Sequence, residues 1–408
     1  MGIIVQKFGG SSVGDVDKLL NVARRVTAKK REGNRMVVVV SAMGDSTDEL
    51  IELAHRISSD PSDREMDQLI STGEQISSAL LAMALHTLGE EAISLTGDQV
   101  GILTDFSHTK ARIDRILPDK LLKELDSGRV VVVAGFQGIS PDNDITTLGR
   151  GGSDTTAVAL AAALSADSCE IFTDVNGVYT SDPRVVPKAA KLDRISYDEM
   201  LEMASLGAKV IQNRAVEFAK KFKVVLHIRS TFSEDEGTIV AEEADEMSME
   251  KVVIRGVTLN KEEAKITITR VPDEPGVAAR IFKAIAEAQV NVDMIIQNIS
   301  EDGFTDVSFT VPTGDTARAK GVIAELAPRI GAGEIKVDDL VAKVSVVGVG
   351  MKSHPGVAAT MFETFAENKI NINMISTSEI KISCVVASED GEKAARVVHR
   401  AFGLDREE

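Results

Sequence analysis

The 408-residue chain has little of several features that mark particular classes of protein. Its two cysteines, Cys169 and Cys384, are too few for a disulfide framework and too far apart for a metal-binding motif, which indicates a reducing compartment. The longest apolar runs, around residues 36–43 and 157–166, fall far short of the roughly 18 residues that span a bilayer, so we expect no membrane helix. The N-terminus shows no signal-peptide pattern, and we therefore expect a cytoplasmic protein.

The chain also has fewer basic than acidic residues. The chain has 63 acidic and 46 basic residues, which gives a formal net charge of −17. This charge opposes a general role in binding nucleic acids or anionic membranes. A polyanionic ligand therefore needs local positive charge.

The six histidines lie in no recognisable catalytic triad. This weakens the match of residues 10–14, Gly-Ser-Ser-Val-Gly, to the G-x-S-x-G motif of serine hydrolases, although a hydrolase with Ser12 as nucleophile remains an alternative. The P-loop pattern is absent, because no glycine at the required spacing precedes a Lys-Ser or Lys-Thr pair. A phosphate site in this chain must be of another design.

The first fifteen residues predict a strand, a glycine loop and a helix. The apolar residues 3–5 indicate a buried strand, Gly9 and Gly10 break it, and a helical apolar pattern begins at Val16. Glycines let backbone N–H groups turn toward an anion, and Lys7 adds a full positive charge. The alternative is a tight turn in which a serine caps the helix.

Residues 1–240 alternate apolar strands with helical patterns. The Val-rich runs at 36–40 and 130–133 are typical of strands buried on both faces, which predicts an α/β sandwich with a mainly parallel sheet. Ligands of such sheets bind at the carboxyl ends of the strands. The segments that follow the predicted strands, 41–47, 135–138 and 173–179, are polar and glycine-rich, so we expect the site there.

An internal repeat follows an acidic linker around residues 234–250. Residues 275–279, Pro-Gly-Val-Ala-Ala, recur at 355–359, and the same offset aligns the helix and strand that follow. Each copy predicts a ferredoxin-like βαββαβ module. The alternative is a duplicated module that binds no ligand.

These motifs together resemble the aspartate kinase family, which has an amino-acid-kinase fold followed by two ACT domains. The resemblance covers essentially the whole chain and rests on the repeat and on residues 7–13, 71–74, 149–154 and 173–184. It implies ATP-dependent phosphorylation of the side-chain carboxylate of L-aspartate, giving 4-phospho-L-aspartate on the way to lysine, threonine, methionine and diaminopimelate. ATP with Mg²⁺ would be a substrate complex, with no tightly bound cofactor and no metal held by the protein. No homoserine dehydrogenase extension is present, so we expect a monofunctional form.

The resemblance also implies the roles of individual residues. Lys7 contacts the phosphates and Asp154 orients it, while Arg150 grips the substrate α-carboxylate and Glu74 holds its ammonium. The ordinary alternatives are a helix cap for Asp154, a surface arginine for Arg150 and a capping or surface acid for Glu74. Further substrate-contacting positions are Ser41, Thr47 and Ser153. The nucleotide-contacting positions are Lys7, Gly9, Gly10, Ser11, Thr173, Asp174, Tyr179, Arg184 and Lys209.

The absence of a catalytic histidine fits this chemistry. An aspartate side chain with a pKa near 3.9 is already ionised at neutral pH and needs no general base. The obstacle is the approach of two anions, and phosphoryl transfer relies on positioning and charge stabilisation.

Two alternative functions remain for the whole chain. Acetylglutamate, glutamate and uridylate kinases share the fold but lack the C-terminal repeat. A non-catalytic amino-acid sensor is the alternative of another class.

The repeat is expected to bind lysine and threonine as effectors. The Pro-Gly turn leaves helix N-terminal amides free for an amino-acid carboxylate, and Asp273 and Asp293 have neutral counterparts, Ser353 and Asn373, so the two sites should prefer different ligands. We expect a homo-oligomer assembled through the ACT domains. The expected effector-binding residues are Asp273, Gly276, Val277, Ala278, Asp293, Gln297, Asn371 and Asn373.

A strand count predicts that the two modules are interleaved. The first repeat has four predicted strands, at 265–271, 290–299, 305–311 and 334–337. The second has only three before the chain ends, at 343–349, 370–377 and 381–387, and an unpaired sheet edge is usually covered. Residues 252–259 have the length and β-branched character of the missing strand. We therefore expect a catalytic domain at 1–240, a linker at 241–250, a first ACT domain at 264–339, and a second at 251–260 plus 341–408. The alternative is that 252–259 extends the catalytic sheet or pairs with the first module.

Overall fold

The computed structural model describes residues 2–206, 210–242, 253–298, 302–349, 351 and 356–405. They form two compact units. The first contains residues 2–178, 191–204 and 210–242, and the second contains residues 179–190, 205–206 and the described residues from 253 onward. Among the helices described, none has the length and apolar character needed to cross a membrane.

The first unit is built on an eight-stranded sheet that is parallel except for one strand pair. The order is β10-β12-β11-β9-β1-β2-β6-β3, and only β11 and β12 pair antiparallel. Its central strands are Val-rich and buried on both faces, as the sequence predicts. Their bounds are β1 (Ile3–Phe8), β2 (Arg35–Val40), β3 (Ala92–Leu95), β6 (Val130–Ala134), β9 (Ser168–Thr173), β10 (Arg194–Ser196), β11 (Leu226–Ser230) and β12 (Thr238–Ala241).

Helices cover both faces of this sheet. On one face α1 and α4 bury Leu19 and Leu81 against Phe8 and Val38, and on the other face α6 contacts β1, β2 and β9. The predicted α/β sandwich with a mainly parallel sheet is confirmed, and it has three layers in the order α/β/α. Its helices are α1 (Val16–Arg31), α2 (Ser46–Ile57), α3 (Asp63–Ile70), α4 (Thr72–Thr87), α5 (Asp119–Asp126), α6 (Gly152–Ala163), α7 (Tyr197–Ser205) and α8 (Asn213–Phe222).

A small second sheet, which the sequence did not indicate, lies between the main strands in chain order. Its order is β5-β4-β7-β8, and its strands are only three or four residues long. Their bounds are β4 (Ile102–Thr104), β5 (Ile113–Ile116), β7 (Gln137–Ile139) and β8 (Ile145–Thr147).

The second unit contains two four-stranded sheets, each with two helices. The first has the order β15-β16-β14-β17 and the second β13-β18-β20-β19. In the second sheet, β13 pairs antiparallel with β18, with Val257 opposite Val346. The elements of the unit are β13 (Val253–Asn260), β14 (Glu263–Pro272), α9 (Val277–Glu287), β15 (Ile295–Gln297), β16 (Phe304–Pro312), α10 (Thr316–Ile330), β17 (Ile335–Asp338), β18 (Val341–Val349), α11 (Gly356–Glu367), β19 (Met374–Thr377), β20 (Lys381–Ala387) and α12 (Gly391–Ala401).

Residues 179–190 group with the second unit, although the expected catalytic domain spans 1–240. The reason is a set of hydrogen bonds made by Thr180. Its carbonyl accepts from the backbone N–H of Val257 at 2.7 Å, and its Oγ1 lies 2.8 Å from Nε2 of the buried His399. Arg396 also donates to the carbonyl of Val185.

Candidate functional site

Four neighbouring strands of the first unit end at one edge of the parallel sheet. Phe8, the last residue of β1, lies opposite Val40 on one side and Phe172 on the other, and Val40 lies opposite Ala134. Because these strands are parallel, the loops that follow them lie side by side. The polar segments identified in the sequence thus share one edge.

The glycine loop after β1 contacts the loop after β2 closely. A Cβ at Gly10 would lie 2.9 Å from the carbonyl oxygen of Ala42, so this approach requires glycine. The backbone N–H of Gly44 donates to the Gly10 carbonyl at 3.1 Å. Helix α1 is capped by Asp15, whose side chain accepts from the Lys18 amide, and not by a serine.

Ser12 is not placed to act as a nucleophile. Its side chain is fully buried, and its Oγ lies 2.6 Å from Oγ1 of Thr231. No described histidine is hydrogen-bonded to it. This geometry argues against the serine hydrolase alternative, which needs an exposed hydroxyl paired with a histidine.

Lys7 and Asp154 form a nearly buried ion pair at this edge. Lys7 Nζ lies 2.6 Å from Asp154 Oδ1, with side chains 12% and 10% exposed. Asp154 lies in the first turn of α6, where the helix dipole stabilises a carboxylate. The ammonium also lies 3.4 Å from the position that a Cβ of Gly9 would occupy, so it projects over the glycine loop.

Glu74 is a buried carboxylate, and one of its two oxygens has no hydrogen-bond partner among the described residues. Its Oε1 accepts from the backbone N–H of Ala42 at 3.1 Å, while its Oε2 has no hydrogen-bond partner in the described part of the chain. Burial raises the pKa of Glu74 to about 7. Gly73, at the start of α4, lies close to Ala42, because a Cβ on Gly73 would be 2.8 Å from the alanine side chain. The start of α4 therefore lies beside this loop. A cationic ligand would satisfy the free oxygen.

Arg150 is exposed in a turn between two glycines with positive φ angles, Gly149 at 75° and Gly151 at 71°. Within the described residues it has no hydrogen bond or ion pair, so its guanidinium is available to an anion. Ser153, two residues after this turn, contacts the end of β6, because a Cβ at Gly135 would lie 2.9 Å from the serine Cβ.

The remaining expected residues are distributed over both units. Ser41 follows β2 and Thr47 lies in the first turn of α2, while Thr173 ends β9 and bonds through its Oγ1 to the exposed Asp174. Tyr179 and Arg184 belong to the segment grouped with the second unit, where Arg184 pairs with Asp182. Lys209 lies outside the described residues. The described side chains include no group of three or more His, Cys, Asp or Glu that could hold a metal ion.

Two residues that the sequence analysis did not single out support the Arg150 turn. Asp67 is fully buried and bonds to Thr147 and Thr109, and Arg214 donates to the carbonyls of Leu148 and Ala111. A signal for Asp67 exists in the sequence, since it lies between Met66 and Ile70 on the buried face of α3. A charged residue on an apolar helix face is seldom buried without partners. No comparable signal marks Arg214.

The second unit contains a cavity of about 460 Å³ at the first Pro-Gly turn. It brings together five of the expected effector-binding residues, and Val271, Glu274 and Val307 also line it. Gly276, with φ at 97°, precedes α9 and leaves the helix N-terminus open toward this cavity. The five expected residues are Asp273, Gly276, Val277, Ala278 and Gln297.

Asp293 does not line this cavity. Its carboxylate forms an ion pair with the buried Lys343, which also pairs with Glu263. Asn371 and Asn373 are exposed in the second module. Ser353 lies outside the described residues.

Models of known families match both parts of the chain. The model of the amino acid kinase family matches residues 2–230, and two models of the ACT domain match residues 265–330 and 344–402. The fold and the site at the ends of its strands therefore define a member of the amino acid kinase family with two ACT domains.

Comparison with similar proteins shows to which group of amino acid kinases the chain belongs. An aspartokinase of Pseudomonas aeruginosa is 55% identical over 99% of this chain and 98% of its own length. E. coli aspartokinase III in complex with aspartate and ADP matches 98% of this chain and 99% of its own with 27% identity and a TM-score of 0.83. The structure of the same enzyme with lysine and aspartate covers the same shares with 26% identity and a TM-score of 0.77. The chain belongs to the aspartokinase family, which confirms the resemblance seen in the sequence.

Proposed function

We propose that this chain transfers the γ-phosphoryl group of ATP to the side-chain carboxylate of L-aspartate, giving 4-phospho-L-aspartate and ADP. The observation that carries the proposal is the ion pair of Lys7 and Asp154 beside the glycine loop. It fixes one cation where four parallel strands end, in a chain whose net charge is strongly negative.

The transfer is a direct displacement. An oxygen of the aspartate side chain attacks the γ-phosphorus, the bond from phosphorus to the β–γ bridging oxygen breaks, and ADP leaves with that electron pair. The nucleophile is already ionised, so no protein group takes a proton from it. Lys7 and the N–H groups of the glycine loop offset the negative charge on the transferred group and on ADP.

Two oppositely charged side chains recognise the amino-acid end of the substrate. Arg150, exposed between its two glycines, forms a two-pronged hydrogen bond with the α-carboxylate. Glu74 Oε2, which is buried and without a partner among the described residues, accepts from the α-ammonium. Ser41, Thr47 and Ser153 provide hydroxyl groups around the same ligand.

Mg²⁺ enters with ATP as part of the substrate complex. Bound to ATP, it would reduce the negative charge of the β- and γ-phosphates that the aspartate carboxylate approaches. Thr173 ends β9, the neighbour of β1, and Asp174 follows it, and both are proposed to contact the nucleotide from that side. The same role is proposed for Gly9, Gly10, Ser11, Tyr179, Arg184 and Lys209.

The test is an ATP-turnover assay with a panel of amino acids. We expect turnover with L-aspartate and at least 100-fold less with D-aspartate, L-glutamate and L-asparagine at equal concentration, since positioning limits the reaction. An inactive chain that still binds lysine in calorimetry would favour the sensor alternative. Faster turnover with L-glutamate would overturn the substrate assignment.

We further propose inhibition by lysine at the cavity of the first module and by threonine at the second module. Support for lysine comes from the acidic Asp273 and Glu274 at the cavity and from the lysine-bound relative. The counterpart of Asp273 is the neutral Ser353, which favours threonine over lysine at the second module. Inhibition requires each ligand to bind an inactive state more tightly than the active one.

The domain limits remain the ones proposed from the sequence, with the first ACT domain inserted in the second. The pairing of β13 with β18 supports this insertion.

Association of copies through the ACT domains is proposed as well, because the exposed Ile295 and Ile375 occupy equivalent edge strands of the two modules. The free, buried thiols of Cys169 and Cys384 are consistent with a cytoplasmic location.

A further inference from the structure

The turn that carries Arg150 is short and lies between two glycines, so its own sequence does not fix its conformation. Gly149 and Gly151 both have positive φ angles, and glycine retains more backbone freedom than any other residue. A guanidinium that grips a carboxylate with two hydrogen bonds nevertheless needs a fixed orientation. Something outside the turn must hold it.

Arg214 holds one side of the turn. It lies at the start of α8, and its Nη1 donates to the carbonyl of Leu148 at 2.8 Å, two residues before Arg150. Its Nη2 donates to the carbonyl of Ala111, also at 2.8 Å. Gln212, the residue just before α8, packs tightly on Gly151, and a Cβ at Gly151 would lie 1.9 Å from the glutamine side chain.

Asp67 supports the strand that leads into the turn. Its Oδ1 accepts from Thr147 Oγ1 at 2.5 Å and from the backbone N–H of Thr109 at 3.0 Å, and its Oδ2 lies 2.7 Å from His108 Nδ1. Thr147 ends β8 and is followed by Leu148 and the turn. Asp67 is completely buried, so its carboxylate is satisfied by protein groups and not by water.

Thr109 connects this support to the turn itself. Its φ angle of 63° is strained for a β-branched residue, and the hydrogen bond from its N–H to Asp67 helps to hold it there. In this conformation its carbonyl oxygen lies against Gly149, where a Cβ would meet it at 3.1 Å. The strain is therefore located next to the turn that presents Arg150.

We propose that Arg214 and Asp67 are positioning residues that orient Arg150 for the carboxylate of the substrate. Arg214 acts through backbone carbonyls, and Asp67 acts through the hydroxyl of Thr147 and the backbone N–H of Thr109. Neither residue has a role in the transfer itself. The inference rests on the proposed role of Arg150 in binding the α-carboxylate of aspartate.

The test compares single and double variants of the full chain. Arg214→Met should raise the KM for aspartate about 10-fold and change kcat and the KM for ATP less than about 2-fold, since losing hydrogen bonds to a charged group typically costs a factor of this size. Arg214→Lys keeps the charge but reaches only one carbonyl, and we expect an intermediate KM. Arg35→Met, which removes a surface ion pair with Asp126 at the opposite edge of the sheet, is the control and should change neither KM.

A double-mutant cycle separates positioning from general structural support. If Arg214 acts through Arg150, then Arg214→Met in an Arg150→Ala background should raise the KM for aspartate no further. An additional increase in that background, or equal changes in kcat and both KM values, would overturn the positioning role. Asp67→Asn, which keeps the shape of the side chain, provides a second measurement if Arg214→Met unfolds. It should follow the same pattern.

Failure of the underlying proposal has a different signature. If Arg150→Ala alone leaves the KM for aspartate unchanged, then Arg150 does not bind the substrate carboxylate, and the positioning role falls with it. If Arg150→Ala raises that KM strongly while Arg214→Met and Asp67→Asn leave it unchanged, only the positioning role is wrong.

Discussion

Lys7 Nζ lies 2.6 Å from Asp154 Oδ1, and this contact joins the first strand of the catalytic sheet to the first turn of α6. The carboxylate lies behind the ammonium and limits its motion, while the ammonium projects over Gly9. A nearly buried ion pair is costly to break by removing one partner. The pair therefore presents a fixed positive charge to the phosphates.

Removing this charge should stop phosphoryl transfer without preventing aspartate binding. We expect Lys7→Met to lower kcat at least 100-fold, because one electrostatic contact to a transition state is worth on the order of that factor. The affinity for aspartate, measured by calorimetry, should change less than about 3-fold. The control is Lys220→Met, which removes an exposed ion pair with Asp198 in the same unit and should leave kcat unchanged. Near-normal turnover of Lys7→Met would contradict the assignment.

Glu74 should make aspartate binding depend on pH near neutrality. Its pKa is raised to about 7 by burial, and only the ionised form accepts from the substrate ammonium. We expect kcat/KM for aspartate to rise about 10-fold per pH unit below pH 7 and to level off above it. Glu74→Gln should have a low kcat/KM without this rise. A wild-type profile that is flat from pH 5.5 to 8 would refute the role.

The same group links stability to pH in the ligand-free chain. Its folded pKa of about 7 lies above the ordinary value of 4.5, so the contribution of protonated Glu74 to the free energy of unfolding is fully present below pH 4.5. It is lost as the pH rises through about 7. The difference in Tm between wild type and Glu74→Gln should therefore change between pH 5 and 8 in the direction that favours the variant at higher pH.

Lysine inhibition should depend on Asp273 at the cavity of the first module. We expect Asp273→Asn to raise the lysine concentration for half-inhibition about 10-fold, because a charge-assisted hydrogen bond is lost, with the KM for aspartate unchanged. Glu287→Gln removes one negative charge from the surface of the same module and is the control. Lysine inhibition that is absent from wild type, or equal in Asp273→Asn, would exclude this site for lysine.

The insertion of one module in the other can be tested by hydrogen exchange. Val257 is buried in the core of the second module, and Val257→Ala should destabilise that module by about 2 kcal/mol. We expect faster exchange in β18 and β20 and no change in β16. Val307→Ala on β16 is the reciprocal control and should affect the first sheet. Faster exchange in β16 alone for Val257→Ala would contradict the insertion.

The sequence predicted the features whose cause is local. The Val-rich β2 and β6 have a composition that only a doubly buried strand explains, and β20 has the predicted bounds, 381–387. Strand β15 is shorter than the predicted 290–299, of which residue 299 lies outside the described residues, because only Ile295–Gln297 pairs with β16. Local pattern indicates an extended chain, while a strand also requires a partner.

The partners of side chains whose contacts lie far away in the chain were not predictable from the sequence. The carboxylate of Asp67 is bound by residues 42 and 80 positions later, and Asp293 is paired with Lys343, 50 positions later. Thr180 also has a distant partner, since it bonds to His399, and this contact associates residues 179–190 with the second unit. An isolated charged residue in a sequence is most often exposed, and only the fold reveals its partner.

The central claim is that an oxygen of the aspartate side chain attacks the γ-phosphorus of ATP. The most direct measurement uses L-aspartate with ¹⁸O in its side-chain carboxylate, with hydroxylamine added to cleave the acyl phosphate at its carbonyl carbon. The phosphate released is then examined by ³¹P NMR. We predict phosphate that carries one ¹⁸O atom, together with ADP and the aspartyl hydroxamate. Unlabelled phosphate formed without hydroxamate would mean that water attacks ATP, and it would contradict the proposed reaction.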